Sequence, residues 1–189
     1  AKQVVVQRIR EAERGQVYDE FSNRQGEIVT GTVQRISNDT VFINIGKAEG
    51  ILSVNEQVRG EKYAVNSRLK VYIMDVKKTT KGPQVYLSRS HPGLVKRLFE
   101  LEVPEIRDGI VEIKSISREA GSRTKMAVYT SDPDVDPVGA CVGPRGTRVQ
   151  AVVDELFDEK IDIISWSDRP EELVRSALSP AKTEKVFIN

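Results

Sequence analysis

Polar and apolar positions along the chain change their period twice. The opening stretch "AKQVVVQRIREAERGQVYDEF" places Val5, Ile9 and Ala12 at helical spacing among charged residues. That spacing predicts an amphipathic lead-in helix, weakened near Gly15. From Glu27 the period shortens. "EIVTGTVQRIS", "TVFINIG", "EGILSV", "RLKVYIMDVKK" and "QVYLSRS" are rich in β-branched and aromatic residues, with Gly, Asn, Asp and Pro between them. Val41, Ile43 and Ile45 alternate with Phe42 and Asn44, as in a strand with one buried face. "SND" and "KGP" read as turns. Five short strands in sequence predict a small closed barrel, for which the OB fold is the natural five-strand solution.

After "SRSHPG" the pattern turns helical in "LVKRLFELE" and is broken by "VPEIRDG". "IVEIKSIS" and "RTKMAVYT" read as strands joined by "REAGS", and "DPVGACV" as a short helix. Asp136 stands at its N-cap and Pro137 at its first position, where a missing N–H costs nothing. A "GPRG" turn, a helix through "TRVQAVVDELF", the strand "IDIISWS" and a last helix "RPEELVRSAL", stopped by Pro180, complete the chain. The predicted fold class is multidomain: an all-β five-stranded OB-fold barrel, then an α+β domain ordered helix-strand-strand-helix-helix-strand. The boundary is placed near His91 to Gly93.

Composition changes this picture little, and charge distribution changes it more. The 189 residues carry a net charge of +1. Between Arg68 and Arg97, however, the cations Arg68, Lys70, Lys77, Lys78, Lys81, Arg89, Lys96 and Arg97 face the single acid Asp75. Charge segregated in this way can steer a polyanion even when the sum is near zero. One cysteine, Cys141, excludes an internal disulfide framework and fits a reducing compartment, so a cytoplasmic location is expected. No apolar run approaches the roughly 18 residues of a membrane span.

The glycine turn is the most informative short stretch. Gly143, Pro144, Arg145 and Gly146 stand at a helix entrance with Thr147 and Arg148 next in line. A Walker loop needs four residues between its glycines and a following Gly-Lys-Ser/Thr, which are absent. A dinucleotide fingerprint needs a preceding strand, and here a helix precedes. A KH-type loop needs two helices meeting at Gly-x-x-Gly, so that phosphates of single-stranded RNA approach bare main chain and free helix N–H groups. Arg145 and Arg148 add positive charge on either side of the second glycine.

The run "SRSHPGLVKRLFELEVPEIRDGIVEIKSISREAGSRTKMAV", followed by "DPVGACVGPRGTRVQAVVDELFDEKIDIISW", resembles the NusA family of bacterial transcription elongation and termination factors. The resemblance implies an S-one type OB domain over residues 25–91 and a first KH domain of prokaryotic type over 92–180. Residues 1–24 would be a linking helix, and 181–189 the approach to a second KH domain. It implies binding of nascent single-stranded RNA, contact with RNA polymerase through regions mostly outside this chain and with other transcription factors, and a role in pausing, termination and antitermination. A monomer without cofactor or membrane attachment is expected. The KH contact loop carries over onto Gly143, Pro144, Arg145, Gly146, Thr147 and Arg148. On the barrel, Phe42 matches one family aromatic, but Asp39 stands where a second belongs and Ser53 where a histidine belongs. Lys70, Lys77 and Arg89 are the other candidate barrel contacts.

No catalytic constellation emerges. His91 reads as a capping or linker residue, Cys141 as a small buried hydrophobe, and Tyr72 and Trp166 as packing residues. The acidic pairs Asp154/Glu155 and Asp158/Glu159 fit a helix surface and a helix end, and no metal site is expected. Two function classes stand: an RNA-binding part of a transcription factor, or a protein-interaction scaffold docking on polymerase or a ribosomal protein.

Overall fold

The computed structural model describes residues 2–167, and the chain divides into two compact units after Leu94. In the first, β1 (Ile28–Ser37), β2 (Thr40–Asn44), β3 (Glu49–Leu52), β4 (Arg68–Thr79) and β5 (Gly82–Ser88) pair as β1-β2-β3-β5-β4 and back to β1, a closed barrel. The β3–β5 pair is parallel and the others antiparallel. Alternation decides which side chains enter: Val41, Ile43, Leu52, Val71, Ile73, Val85 and Leu87 fill the interior. Asn38 and Asp39 both take positive φ, and Ser37 faces Thr40 across them, a two-residue hairpin turn of the kind these residues favour. The "KGP" turn sits one residue earlier than its letters suggest, at Thr80–Lys81, and Gly82 opens β5.

Helix α1 (Lys2–Ser22) runs through Gly15 without a break. A mid-helix glycine costs about 1 kcal/mol, and tertiary packing outweighs it: Phe21 enters the barrel core, with Val17 and Tyr18 packed against it. The first half of the helix does not bury the face its spacing suggests, for Val5 and Ile9 are both more than half exposed among the described residues.

Arg89 corrects the sequence expectation most sharply. Expected as a surface contact for RNA, it has 0% exposure. Its Nε and Nη2 donate to the two carboxylate oxygens of Glu61 at 3.0 and 2.8 Å, and Nη1 donates to the Lys70 carbonyl at 2.7 Å. The β3–β4 connection supplies Glu61, and all three guanidinium nitrogens of this buried cation donate to protein oxygens. Tyr63 donates its hydroxyl to Glu61 at 2.8 Å and accepts the Val58 N–H at 3.0 Å. Burial first, then the Glu61 charge, holds the Tyr63 phenol above its ordinary range.

At the start of α2 (Pro92–Glu102), the Gly93 N–H donates to His91 Nδ1 at 2.8 Å, and the imidazole lies stacked on Tyr72 with centroids 4.3 Å apart. The capping role read for His91 is what its geometry provides. Beyond α2 and the single turn α3 (Pro104–Arg107), the strands β6 (Glu112–Glu119), β7 (Arg123–Tyr129) and β8 (Lys160–Ser165) form a sheet in that order. Strand β7 is antiparallel to β6 and parallel to β8. The parallel crossover is made by α4 (Pro137–Val142) and α5 (Thr147–Glu155), which pack on β8. The expected last helix "RPEELVRSAL" and residues 181–189 lie outside the described residues.

Glu159, which the sequence suggests for a helix end, is instead the buried polar centre of this sheet. Its carboxylate accepts Arg118 Nε and Nη2, each at 3.1 Å, the Gly121 N–H at 2.7 Å and the Thr124 hydroxyl at 2.8 Å. Phe157 and Asp158, both at positive φ, turn the chain out of α5 just before it. The side chains of Arg118 and Glu159 are 1% and 0% exposed. Glu159→Ala should therefore take the carboxylate from a buried guanidinium and destabilise the fold by about 3–5 kcal/mol. Thermal melting checks this, and the paired Arg118→Met, Glu159→Leu chain should recover only part of the loss, because the Gly121 N–H and the Thr124 hydroxyl still lack their acceptor.

Candidate nucleic-acid interface

The turn between α4 and α5 exposes main chain because three of its four residues leave the right-handed region. Gly143 has φ 77° and ψ 171°, Arg145 φ 56° and ψ 25°, and Gly146 φ 72° and ψ 17°. Gly146 is required by its left-handed conformation. Gly143 is required twice over, because a Cβ there would lie 2.6 Å from Arg148 Cγ. Pro144, Arg145 and Thr147 are exposed. No side chain caps the N-terminus of α5; the Gly146 and Thr147 N–H groups donate to the Gly143 and Pro144 carbonyls, and the positive end of the helix dipole lies at the turn. Asp136 occupies the N-cap of α4 with Pro137 in the first turn, as expected, but its side chain makes no capping hydrogen bond.

The two arginines of the turn are used differently. Arg148 folds back, its Nη1 donating to Glu105 at 2.9 Å and to the Ala140 carbonyl at 2.7 Å. It thereby ties α5 to the last turn of α4 and to α3, and Glu105 offsets its charge. Arg145 stands at the tip, exposed, with no ion pair among the described residues. Cys141 is buried behind the turn. Burial, then the Glu105 carboxylate, pushes its thiol up from 9.0 to about 12, with Arg148 pulling the other way.

On the barrel, Phe42 faces outward from β2, half-buried between the core residues Val41 and Ile43. The Arg35 guanidinium lies 3.8 Å from its ring centroid and pairs with Glu49 at 3.4 Å. An exposed cation–π contact is worth about 0.5–1 kcal/mol, whereas a base on an aromatic ring is worth about 1–3 kcal/mol. Lys77 is exposed on β4, its Nζ 5.2 Å from the Tyr86 ring centroid. Lys70 is half-buried on β4 opposite Thr30. Asp39 sits in the β1–β2 turn, where its carbonyl accepts Gln57 Nε2 at 2.6 Å, and Ser53 precedes a 3-10 turn at Val54–Glu56. Sequence reasoning passed over Arg35 and Tyr86. The alternation Val85, Tyr86, Leu87 does mark Tyr86 as outward-facing, but its strand neighbours were not legible. Among the described residues no group of His, Cys, Asp or Glu could hold a metal ion, and no helix is long and apolar enough to cross a membrane.

These two units define a class: an S-one type RNA-binding barrel joined to a KH unit that displays its glycine turn. Residues 23–88 match the family described as S1 RNA binding domain, and residues 89–166 that described as NusA-like first KH domain. The chain belongs to the NusA family. It is 61% identical over its full length to the "Transcription termination/antitermination protein NusA" of Bacillus subtilis, covering 51% of that protein. Proteins of the same description from Halalkalibacterium halodurans and Thermus thermophilus are 58% and 47% identical over the whole chain, with 50% and 49% of their lengths covered. The chain thus spans about half the length of these relatives.

Two outcomes follow from the turn's packing. Gly143→Ala should push Arg148 off Ala140 and Glu105 and strain the backbone, lowering stability by about 1–3 kcal/mol in urea unfolding. Cys141 should resist iodoacetamide in the native chain at pH 8 and react fully in denaturant. Because its folded value is raised, the stability it contributes is complete below pH 9.0 and is lost as pH climbs toward about 12. A Cys141→Ala chain should show a smaller loss over that window.

Proposed function

We propose that this chain is the single-stranded RNA-binding part of a bacterial transcription factor, gripping the nascent transcript while the whole protein acts on RNA polymerase in pausing, termination and antitermination. Polymerase contact falls mostly to regions outside this chain, and other transcription factors join through the whole protein. The part works as a binding element, without cofactor, as a monomer in the cytoplasm. Residues 25–91 are proposed as the OB-fold RNA-binding domain and 92–180 as a KH domain of prokaryotic type. Residues 1–24 serve as the linking helix, and 181–189 lead toward a second KH domain.

What carries this reading is the glycine turn. Exposed turn residues, a helix start without a side-chain cap and one outward arginine converge on a surface suited to phosphate. The contact residues are Gly143, Pro144, Arg145, Gly146 and Thr147 directly, with Arg148 holding the loop's shape. On the barrel they are Phe42, Lys77 and, at its margin, Lys70.

Changing Pro144 and Arg145 together to Asp puts two negative charges where phosphate would lie. The fold should survive, since both positions are exposed and Asp tolerates the left-handed conformation at 145. Affinity for unstructured RNA should fall about tenfold or more, read by fluorescence anisotropy beside a melting curve. Unchanged affinity would remove the basis for RNA binding at this loop. For the unaltered chain, three or four neutralised phosphates correspond to a log–log salt slope on the order of −2 to −3. A flat slope would mean that the basic residues take no part.

A further inference from the structure

The cross-strand register of the barrel sets a row of outward side chains that sequence order conceals. Arg35 of β1 lies opposite Phe42 of β2, Phe42 opposite Ile51 of β3, and Ile51 opposite Tyr86 of β5. Each is half-buried or exposed, and Phe42, Ile51 and Tyr86 are each flanked along their own strands by buried residues. Two aromatic rings therefore stand two strands apart, about 10 Å, with an apolar side chain between them. A cation accompanies each ring: Arg35 at 3.8 Å over Phe42, and Lys77 at 5.2 Å over Tyr86. Two carboxylates border the row, and both are engaged. Glu49 pairs with Arg35, and Asp75 accepts Gln25 Nε2 at 3.0 Å and the Val76 N–H at 2.8 Å. The Tyr86 hydroxyl reaches Gln84 Oε1 at 3.5 Å.

We propose that Tyr86 is the barrel's second base-stacking platform, with Lys77 beside it as its phosphate contact, so that one RNA strand crosses the barrel from Phe42 to Tyr86. The proposal rests on the RNA-binding reading above and deepens it. Asp39, in the β1–β2 turn, offers no ring, and Tyr86 supplies one from the other side of β3. The chemistry suits nucleotides in particular. Each ring can take a base, because every base has a π-face, and each neighbouring cation can take the phosphate attached to it. The row bends with the barrel wall, which a single strand can follow and a stiff duplex cannot. A protein segment would have no comparable use for a repeated ring-and-cation pair.

The test uses the whole chain and an oligouridylate of roughly twelve nucleotides, long enough for several sites of about four, with 5-iodouridine at alternate positions for photo-crosslinking. Peptide mapping of the unaltered chain should place adducts on both Phe42 and Tyr86. Tyr86→Leu should weaken binding about fivefold or more, Tyr86→Phe should leave it unchanged, and Lys77→Gln should make the salt slope shallower by just under one. The crosslinks are read on the unaltered protein, so a poorly folding variant does not decide the matter. Adducts confined to the second unit, with Tyr86→Leu neutral, would overturn the proposal and leave this row to a protein partner. The Pro144→Asp, Arg145→Asp chain separates the two ideas. If it has lost binding in that case, the RNA-binding reading stands and only the Tyr86 platform falls. If it binds like the unaltered chain and no adduct forms on either unit, the RNA-binding reading falls as well.

Discussion

The aliphatic stem of Arg148, from Cβ to Cδ, occupies the space that a side chain at position 143 would need, and the shape of the exposed turn depends on that exclusion. Because Gly143 has no Cβ, Arg148 can reach the Ala140 carbonyl, closing the end of α4 against the start of α5. Because Glu105 meets the same nitrogen, the charge needed to hold this geometry is satisfied within the fold. The consequence is a division of labour between two arginines three residues apart. One is spent on shape, which leaves the other, Arg145, to carry charge at the tip.

Each unit also contains one buried arginine–glutamate pair, and both join segments distant in sequence. Arg89 and Glu61 link the end of β5 to the β3–β4 connection, and Arg118 and Glu159 link the β6–β7 hairpin to the entrance of β8. Such pairs contribute little net stability against an apolar alternative, but breaking one is expensive. Their value here is register. The Glu159 carboxylate accepts from a side chain on β6, the main chain of the hairpin turn and a hydroxyl on β7, an arrangement satisfied by one alignment only. For the barrel the same device has a consequence for its surface: the arginine within "SRS" is withdrawn, while Lys77, Lys78 and Lys81 around the β4–β5 hairpin remain exposed.

Where cations remain on the barrel surface, several lie over rings. Arg35 over Phe42, Lys77 over Tyr86 and Lys78 over Tyr18 are separate contacts of one kind. An aromatic ring left bare on the surface invites association, and a nearby cation shields it at low energetic cost. The same cation is weakly held and can yield to a stronger partner, so the shielding is compatible with ligand binding.

Local signals were enough for much of this protein. Period-two alternation in "TVFINIG", period-3.6 spacing in "LVKRLFELE" and the Asn-Asp turn depend on neighbours a few residues away, so the sequence alone determined the order of the barrel strands, the change to an α+β unit and the position of the glycine turn among the described residues. Gly146 belongs to this group, because its conformation is a local backbone requirement. Partnerships over long sequence separation were not legible. Nothing near Arg89 distinguishes it from Lys77, and only the fold brings Glu61, 28 residues away, to its guanidinium. Nothing near Glu159 distinguishes it from Asp158 until Arg118 arrives from 41 residues earlier. The row from Arg35 to Tyr86 likewise exists only through strand register, since the parallel β3–β5 pairing closes a barrel that no local pattern can align. Sequence decides what each residue can do locally; which charges are buried and which rings become neighbours is decided by tertiary pairing, because burial and proximity are properties of the closed chain.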